Sequence, residues 1–213
     1  MSSSDWPPKE GLCTPTTPRS SGVLSLSAST TISAPASLVF TIIRETDKYP
    51  EWNQWCPRVT ILSQPDGEHR DSKLLVLNTS YILHALMDTS KPSKDTPTQL
   101  RITDLSTPEA PKSDYLGELL QDPTFTSDLS KVYRIAWKGE GSFLAIGLQT
   151  ERFHEVIVLN ENECEVRTWE VMSGPVAYTV KWMFKKNLEE KFKLWVSDLK
   201  KRAESLHGTA TNT

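Results

Sequence analysis

A chain of 213 residues, 37% hydrophobic and 24% charged, can hold one good core and would be crowded by two full domains. Its formal net charge of -3 supplies no field that would draw nucleic acid or an anionic membrane. No apolar run approaches the roughly 18 residues that cross a bilayer, and Cys13, Cys56 and Cys164 are too widely spaced for a disulfide framework or a zinc site. Reduced thiols and a cytoplasmic location suit that pattern.

Residues 1–22, rich in Ser, Thr and Pro and without a signal-peptide core, read as a flexible tail at most partly packed on the domain. Residues 23–207 then form the domain, and 208–213 a disordered end. Val23 to Ser33 alternates apolar and small polar residues, as a half-buried strand does. Pro35 opens a short helix with Leu38, Val39, Ile42 and Ile43 on one stripe. Asp47 is placed to cap a second short turn ending near Trp55. Six further strand signals follow: Arg58 to Ser63, Lys73 to Leu83, Thr98 to Leu105, Val132 to Lys138, Leu148 to Leu159 and Cys164 to Met172. Polar or proline-rich spacers separate them, which predicts an antiparallel meander. The 106–130 connection is long enough to carry local structure or to act as a mobile flap.

After Gly174-Pro175 the apolar period changes from two to 3.6. Phe184, Leu188, Phe192, Trp195, Leu199 and Ala203 recur at helical spacing, which predicts one long amphipathic helix ending at Gly208. The fold class is therefore α+β. A single helix cannot cover both faces of a seven-stranded sheet, so the sheet is expected to curl around it and leave an apolar cavity.

Two stretches carry a family resemblance. TISAPASLVFTIIRETDKYPEWNQW resembles the start of the START-like (SRPBCC, birch-pollen-allergen-like) helix-grip superfamily, with its strand, its "aP-x-x-V" helix and its "Y-P-x-W-N" turn. ERFHEVIVLNENECEVRTWEVMSG resembles that group's last hairpin. The resemblance spans roughly Val23 to Ala203 and is nearest the polyketide cyclase/dehydrase-like branch. It implies a helix-grip fold with two short helices after the first strand. The functions it implies are aromatic polyketide cyclisation and dehydration, lipid or quinone carriage, or hormone sensing. Gln54 and Trp55 depart from the small or apolar residues usual after Trp-Asn, and the 106–130 segment is longer than the family norm.

Alternation assigns the pocket side chains. Thr168, Glu170 and Met172 share one parity of the last strand, and Arg152, His154 and Val156 one parity of the preceding strand, where Glu151 and Glu155 mark the other side as wet. A two-residue turn at Glu161-Asn162 sets His154 opposite Trp169; a bulged three-residue turn, the favoured alternative, sets it opposite Glu170. Arg152, His154 and Glu170 would then form a polar corner in an apolar cavity. The carboxylate would raise the basicity of His154 as a general base, and Arg152 would hold an enolate, carboxylate or phenolate. Tyr133 adds a phenol and Trp137 a stacking wall. Tyr178 and Trp182 are expected at the cavity mouth, and Trp52 matches the superfamily's recurrent Trp. The same trio also reads as a satisfied polar cluster that only holds strand register. His69, His84 and His207 read as surface or edge residues.

Three functional readings stand. The first is a cofactor-free enzyme, a polyketide cyclase/dehydratase-like or isomerase-like protein that folds a secondary metabolite and shuttles a proton. The second is a carrier or chaperone for a lipid, sterol or quinone. The third is an adaptor, which predicts a filled core and an exposed apolar patch. The expected partner is a hydrophobic small molecule, with no metal, no nucleic acid and no transmembrane segment, in a monomer or homodimer.

Overall fold

The computed structural model describes residues 6–65, 71–91, 93–111, 117–141 and 147–211. Strand β1 (Leu24–Ile32) is followed by α1 (Ala36–Arg44) and α2 (Tyr49–Trp52). Next come β2 (Arg58–Ser63), β3 (Ser80–Ala85), β4 (Thr96–Ser106), α3 (Gly117–Leu120), β5 (Val132–Gly139), β6 (Gln149–Asn160) and β7 (Glu163–Ser173). Helix α4 (Pro175–Thr211) closes the chain. The strands form one antiparallel sheet in the order β1-β7-β6-β5-β4-β3-β2. The α+β helix-grip architecture is as the sequence implied.

Three boundaries differ from expectation, each for a local reason. The strand expected from Lys73 starts only at Ser80, because Asn78 takes a left-handed φ of 68° and a turn bonds Thr79 N–H to the Val76 carbonyl. Asp47 caps nothing: it lies inside a 3-10 turn (Thr46–Lys48) that runs into α2. Gly208 does not end α4, which continues to Thr211 while the Thr209 hydroxyl donates to the Ser205 and Leu206 carbonyls. The turn that carries His69 lies outside the described residues.

Gly174 does make the sharp entry to α4. It has φ 92°, and a Cβ there would meet the Gly147 carbonyl oxygen at 2.6 Å. That same carbonyl accepts the Val176 N–H. The buried stripe of α4 begins at Leu188 rather than Phe184 and continues through Phe192, Trp195, Val196, Leu199 and Ala203. Each large side chain there contributes about 2–3 kcal/mol by leaving water. The stripe packs on the concave face with α1, Trp52 and Trp55.

The convex face has a second core. Phe153 stacks on Trp169 at 5.2 Å, Phe125 meets both rings edge-on, and Trp6 meets Trp169 at 5.9 Å. Leu12 and Cys13 complete the cover, and the Trp169 indole donates to the Cys13 carbonyl. The segment read as a tail thus lies, from Trp6 onward, across β6 and β7. Residues 117–131 of the long connection lie beside it.

Glu151 and Glu155, expected to face water, are buried beneath these two segments. Glu151 accepts from the Thr16 backbone and hydroxyl and from the Thr103 hydroxyl. Glu155 pairs with Arg134 at 2.5 Å, both side chains fully buried, and accepts from Thr126. Alternation told the two sides of the strand apart, but the covering segments made the second side dry.

Candidate functional site

The hairpin of β6 and β7 sets the site. Its tip is a two-residue connection, with Asn160 paired to Glu163, but a bulge at Leu159 shifts the register below it. His154 consequently faces Thr168, and Arg152 faces Glu170. Neither of the two registers expected from the sequence occurs. The inward parity is nevertheless the expected one, because the bulge restores it: Arg152, His154, Val156, Thr168, Glu170 and Met172 share the concave side.

Arg152 is sheathed in aromatic rings. Its guanidinium carbon lies 4.1 Å from the Phe192 centroid, 4.9 Å from Trp55, 5.2 Å from Trp195 and 5.9 Å from Trp137. Its Nε–H donates to the Thr168 hydroxyl at 3.1 Å. Such faces stabilise a cation that little water reaches. His154, fully buried, sits between Trp137 at 4.3 Å and Trp195 at 4.5 Å. Glu170 accepts a short hydrogen bond from the Thr150 hydroxyl.

The expected relay from Glu170 to His154 is therefore absent. Among the described residues no carboxylate hydrogen-bonds the imidazole, and its basicity falls instead of rising. Burial, and then the Arg152 charge, hold the His154 pKa well below its usual value, so the ring is neutral near pH 7. Burial raises the Glu170 carboxyl, with Arg152 and the Thr150 hydroxyl opposing. Glu170 is the better-tuned proton carrier of the two.

Several polar atoms buried here have no hydrogen-bond partner among the described residues: Arg152 Nη2, both His154 ring nitrogens, the Tyr81 hydroxyl, and the Trp52 and Trp55 indole N–H groups. Ring contacts link them, with Trp52 on Trp195 and Tyr81 on Trp137. A buried donor left unmade costs about 1–3 kcal/mol. The set is rich in donors, and it suits a guest that brings acceptor oxygens.

The remaining expected residues divide. Trp137, Trp52, Val156, Thr168 and Met172 lie in the concave core. Tyr133 lies four residues before Trp137 on β5, opposite Val156, and packs on Phe40 at 5.3 Å, so it does not join the trio. Tyr178 and Trp182 are 66% and 85% exposed and do not line the interior. Where the cavity was expected, aromatic rings pack closely around Arg152 and His154. Two depressions, of about 150 and 330 Å³, lie instead at the β2 edge, lined by residues such as His84 and Asp95 or Thr46 and Lys73. His84 itself is buried, with Nδ1 2.7 Å from Asp95 and Nε2 3.0 Å from Thr60 Oγ1.

Sequence reasoning missed Trp55 and Phe192 as walls of the Arg152 site, and Thr150 as the partner of Glu170. One signal was present. Gln54 and Trp55 were the positions that departed from the superfamily pattern. Gln54 binds Asp198 of α4 through its backbone N–H and its side-chain amide, and Trp55 next to it covers Arg152.

A curved antiparallel sheet gripping a C-terminal helix, with ionisable side chains sealed on the concave face, defines a helix-grip protein. A family model described as "Polyketide cyclase / dehydrase and lipid transport" matches residues 32–107. The "Oxopyrrolidines biosynthesis cluster protein O" of Penicillium oxalicum is 30% identical over 200 residues, covering 88% of this chain and 90% of that protein. Among solved structures, a START superfamily protein from Mycobacterium smegmatis aligns with TM-score 0.54 and 14% identity, over 85% of this chain and 98% of its own. The Zhui aromatase/cyclase from Streptomyces sp. R1128 aligns with TM-score 0.52 and 11% identity, over 84% and 94%. The chain belongs to the polyketide cyclase/dehydrase and lipid transport family, and it shares the helix-grip fold of the START-like structures. Among the described residues no helix is long and apolar enough to cross a membrane.

Proposed function

We propose that this protein is a polyketide cyclase/dehydratase-like or isomerase-like enzyme acting on an oxygenated secondary metabolite inside the concave core. The observation that carries the reading is the group of buried, unpartnered donors around Arg152 and His154. The fungal relative's place in a biosynthesis cluster supports it. The substrate enters by displacing aromatic rings of the sheath, and its carbonyl oxygens take up the free donors.

The chemistry balances without an added reactant. Glu170, as carboxylate, removes the α-proton of a β-dicarbonyl unit. Arg152 and the neutral His154 N–H hold the resulting enolate oxygen. The enolate carbon attacks a ketone carbon of the same chain, and the new alkoxide takes the proton back from Glu170. Loss of water from that aldol completes a dehydration. The enclosing rings hold the chain in a reactive shape, which supplies part of the rate.

The test uses a linear poly-β-ketone thioester, with cyclised and spontaneous products separated by chromatography and mass spectrometry. The wild-type protein should redirect the product distribution, and folded Glu170→Gln and Arg152→Gln variants should not. Variants with full activity would sink the proposal. The family description favours a second reading, a non-catalytic carrier of a lipid, sterol or quinone. Such a carrier would co-purify with an extractable lipid and leave the thioester's products unchanged.

A further inference from the structure

Six large apolar side chains are exposed among the described residues, and four of them fall between positions 178 and 184 of α4. They are Tyr178 at 66%, Trp182 at 85%, Met183 at 57% and Phe184 at 38%. Every residue from Lys181 to Lys186 is exposed, so this stretch stands clear of the sheet between buried Ala177 and buried Leu188. An indole so fully in water is rare for a residue type that usually buries most of its surface.

The charge is as uneven as the exposure. Residues 175–188 carry Lys181, Lys185 and Lys186 and no acidic residue, although the whole chain has a net charge of -3. At 100° per residue, Tyr178, Trp182 and the three lysines share one side of the helix, with Lys181 and Lys186 flanking the rings. Lys185 has one long contact, 3.7 Å to Glu189, on an exposed surface. The net charge averaged over the chain conceals this local basic zone.

We propose that this turn of α4 docks the protein on an anionic lipid surface, with Tyr178 and Trp182 set into the headgroup layer and the lysines against lipid phosphates and carboxylates. Charge complementarity selects that occupant, together with the shape of the patch. A helix received in a protein groove needs its apolar stripe to continue at i+3, i+4 and i+7; beyond Trp182 those places hold Lys185, Lys186 and Glu189 instead, with Glu189 facing Lys185 at 3.7 Å. Aromatic rings ringed by long cationic side chains fit a membrane interface, where the rings are half wet and the lysines snorkel. This docking is independent of the reaction proposed above.

Co-sedimentation of the full chain with vesicles of phosphatidylcholine alone, or mixed with phosphatidylserine, tests the inference. Binding is expected on the mixed vesicles, falling with added salt, and at least about tenfold weaker on phosphatidylcholine. Lys181→Ala, Lys185→Ala and Lys186→Ala should each weaken it about fivefold. The double variant Tyr178→Ser, Trp182→Ser should lose it while circular dichroism stays unchanged, since neither side chain is buried. Absence of binding to mixed vesicles overturns the proposal, as does binding indifferent to all these variants. Sedimentation velocity showing self-association that Trp182→Ser abolishes, without vesicle binding, overturns it in favour of a second copy. Capture of an acidic protein in place of vesicles overturns it as well.

Discussion

Arg152 and Glu170 face each other across the β6–β7 pair, yet each hydrogen-bonds a threonine: the guanidinium donates to Thr168 and the carboxyl accepts from Thr150. The carboxyl is left to carry a proton, and one guanidinium nitrogen has no hydrogen-bond partner among the described residues.

The first prediction concerns turnover. Glu170→Gln keeps an acceptor for the Thr150 hydroxyl and removes the proton carrier, so the rate should fall about 10²–10⁴-fold while the protein stays folded. Because burial raises the Glu170 carboxyl, the acid limb of the wild-type rate profile should have its midpoint above the ordinary value of 4.5. Activity is gained as pH rises through that midpoint. A pH–rate profile with no acid limb, or one unaltered in Glu170→Gln, would remove Glu170 from the mechanism.

The second concerns stability against pH. His154 keeps its folded pKa below 6.5, so as pH falls beneath 6.5 the unfolded chain binds a proton that the native ring refuses. Stability is therefore complete above 6.5 and is lost on acidification by about 1.4 kcal/mol per pH unit, down to the depressed native value. Glu170 acts in the opposite sense: above 4.5 the unfolded carboxyl ionises first, and stability falls as pH rises towards its raised native value. Urea titrations between pH 5 and 6.5 separate the two. His154→Phe should remove the upward slope and leave the downward one, while Glu170→Gln should do the reverse. Identical slopes in the wild type and His154→Phe would show that the ring is protonated in the fold.

Much of the fold was legible because periodicity reports burial directly. The stripe from Leu188 to Ala203 and the inward parity of Arg152, His154 and Glu170 were both readable. Register was not, because the Leu159 bulge inserts one residue in a hairpin whose tip sequence is equally compatible with a plain turn. The buried state of Glu151 and Glu155 was hidden for another reason. What covers them comes from residues 6–17 and 117–131, far away in sequence, and no local pattern on β6 announces that cover. The aromatic sheath of Arg152 likewise draws on the turn after α2, on β5 and on α4 at once.

The third prediction follows from the fully buried pair of Arg134 and Glu155. Glu155→Gln removes the carboxylate 2.5 Å from a fully buried guanidinium and should cost about 3–5 kcal/mol. Replacing both partners, as Arg134→Met with Glu155→Leu, should cost markedly less, since two desolvated charges are removed together. Urea midpoints of the three proteins form the test. A double variant less stable than Glu155→Gln would contradict it.

The fourth prediction concerns the N-terminal segment. Leu12 is buried on the convex core, the Cys13 carbonyl accepts the Trp169 indole N–H, and Thr16 gives two hydrogen bonds to the buried Glu151. Leu12→Ala should therefore destabilise the protein by about 2–3 kcal/mol, as for other buried leucines. Deleting residues 1–17 removes the side chain, the indole's acceptor and the two Thr16 donors to Glu151 together. Its cost should exceed that of Leu12→Ala, and Phe153 and Trp169 should become accessible. Urea unfolding measures the first effect, and binding of an apolar fluorescent dye measures the second. A truncated protein with the wild-type midpoint and no added dye binding would mean that this segment contributes nothing to the fold. In the structure it is the lid of the convex core, and the buried carboxylate of Glu151 depends on it.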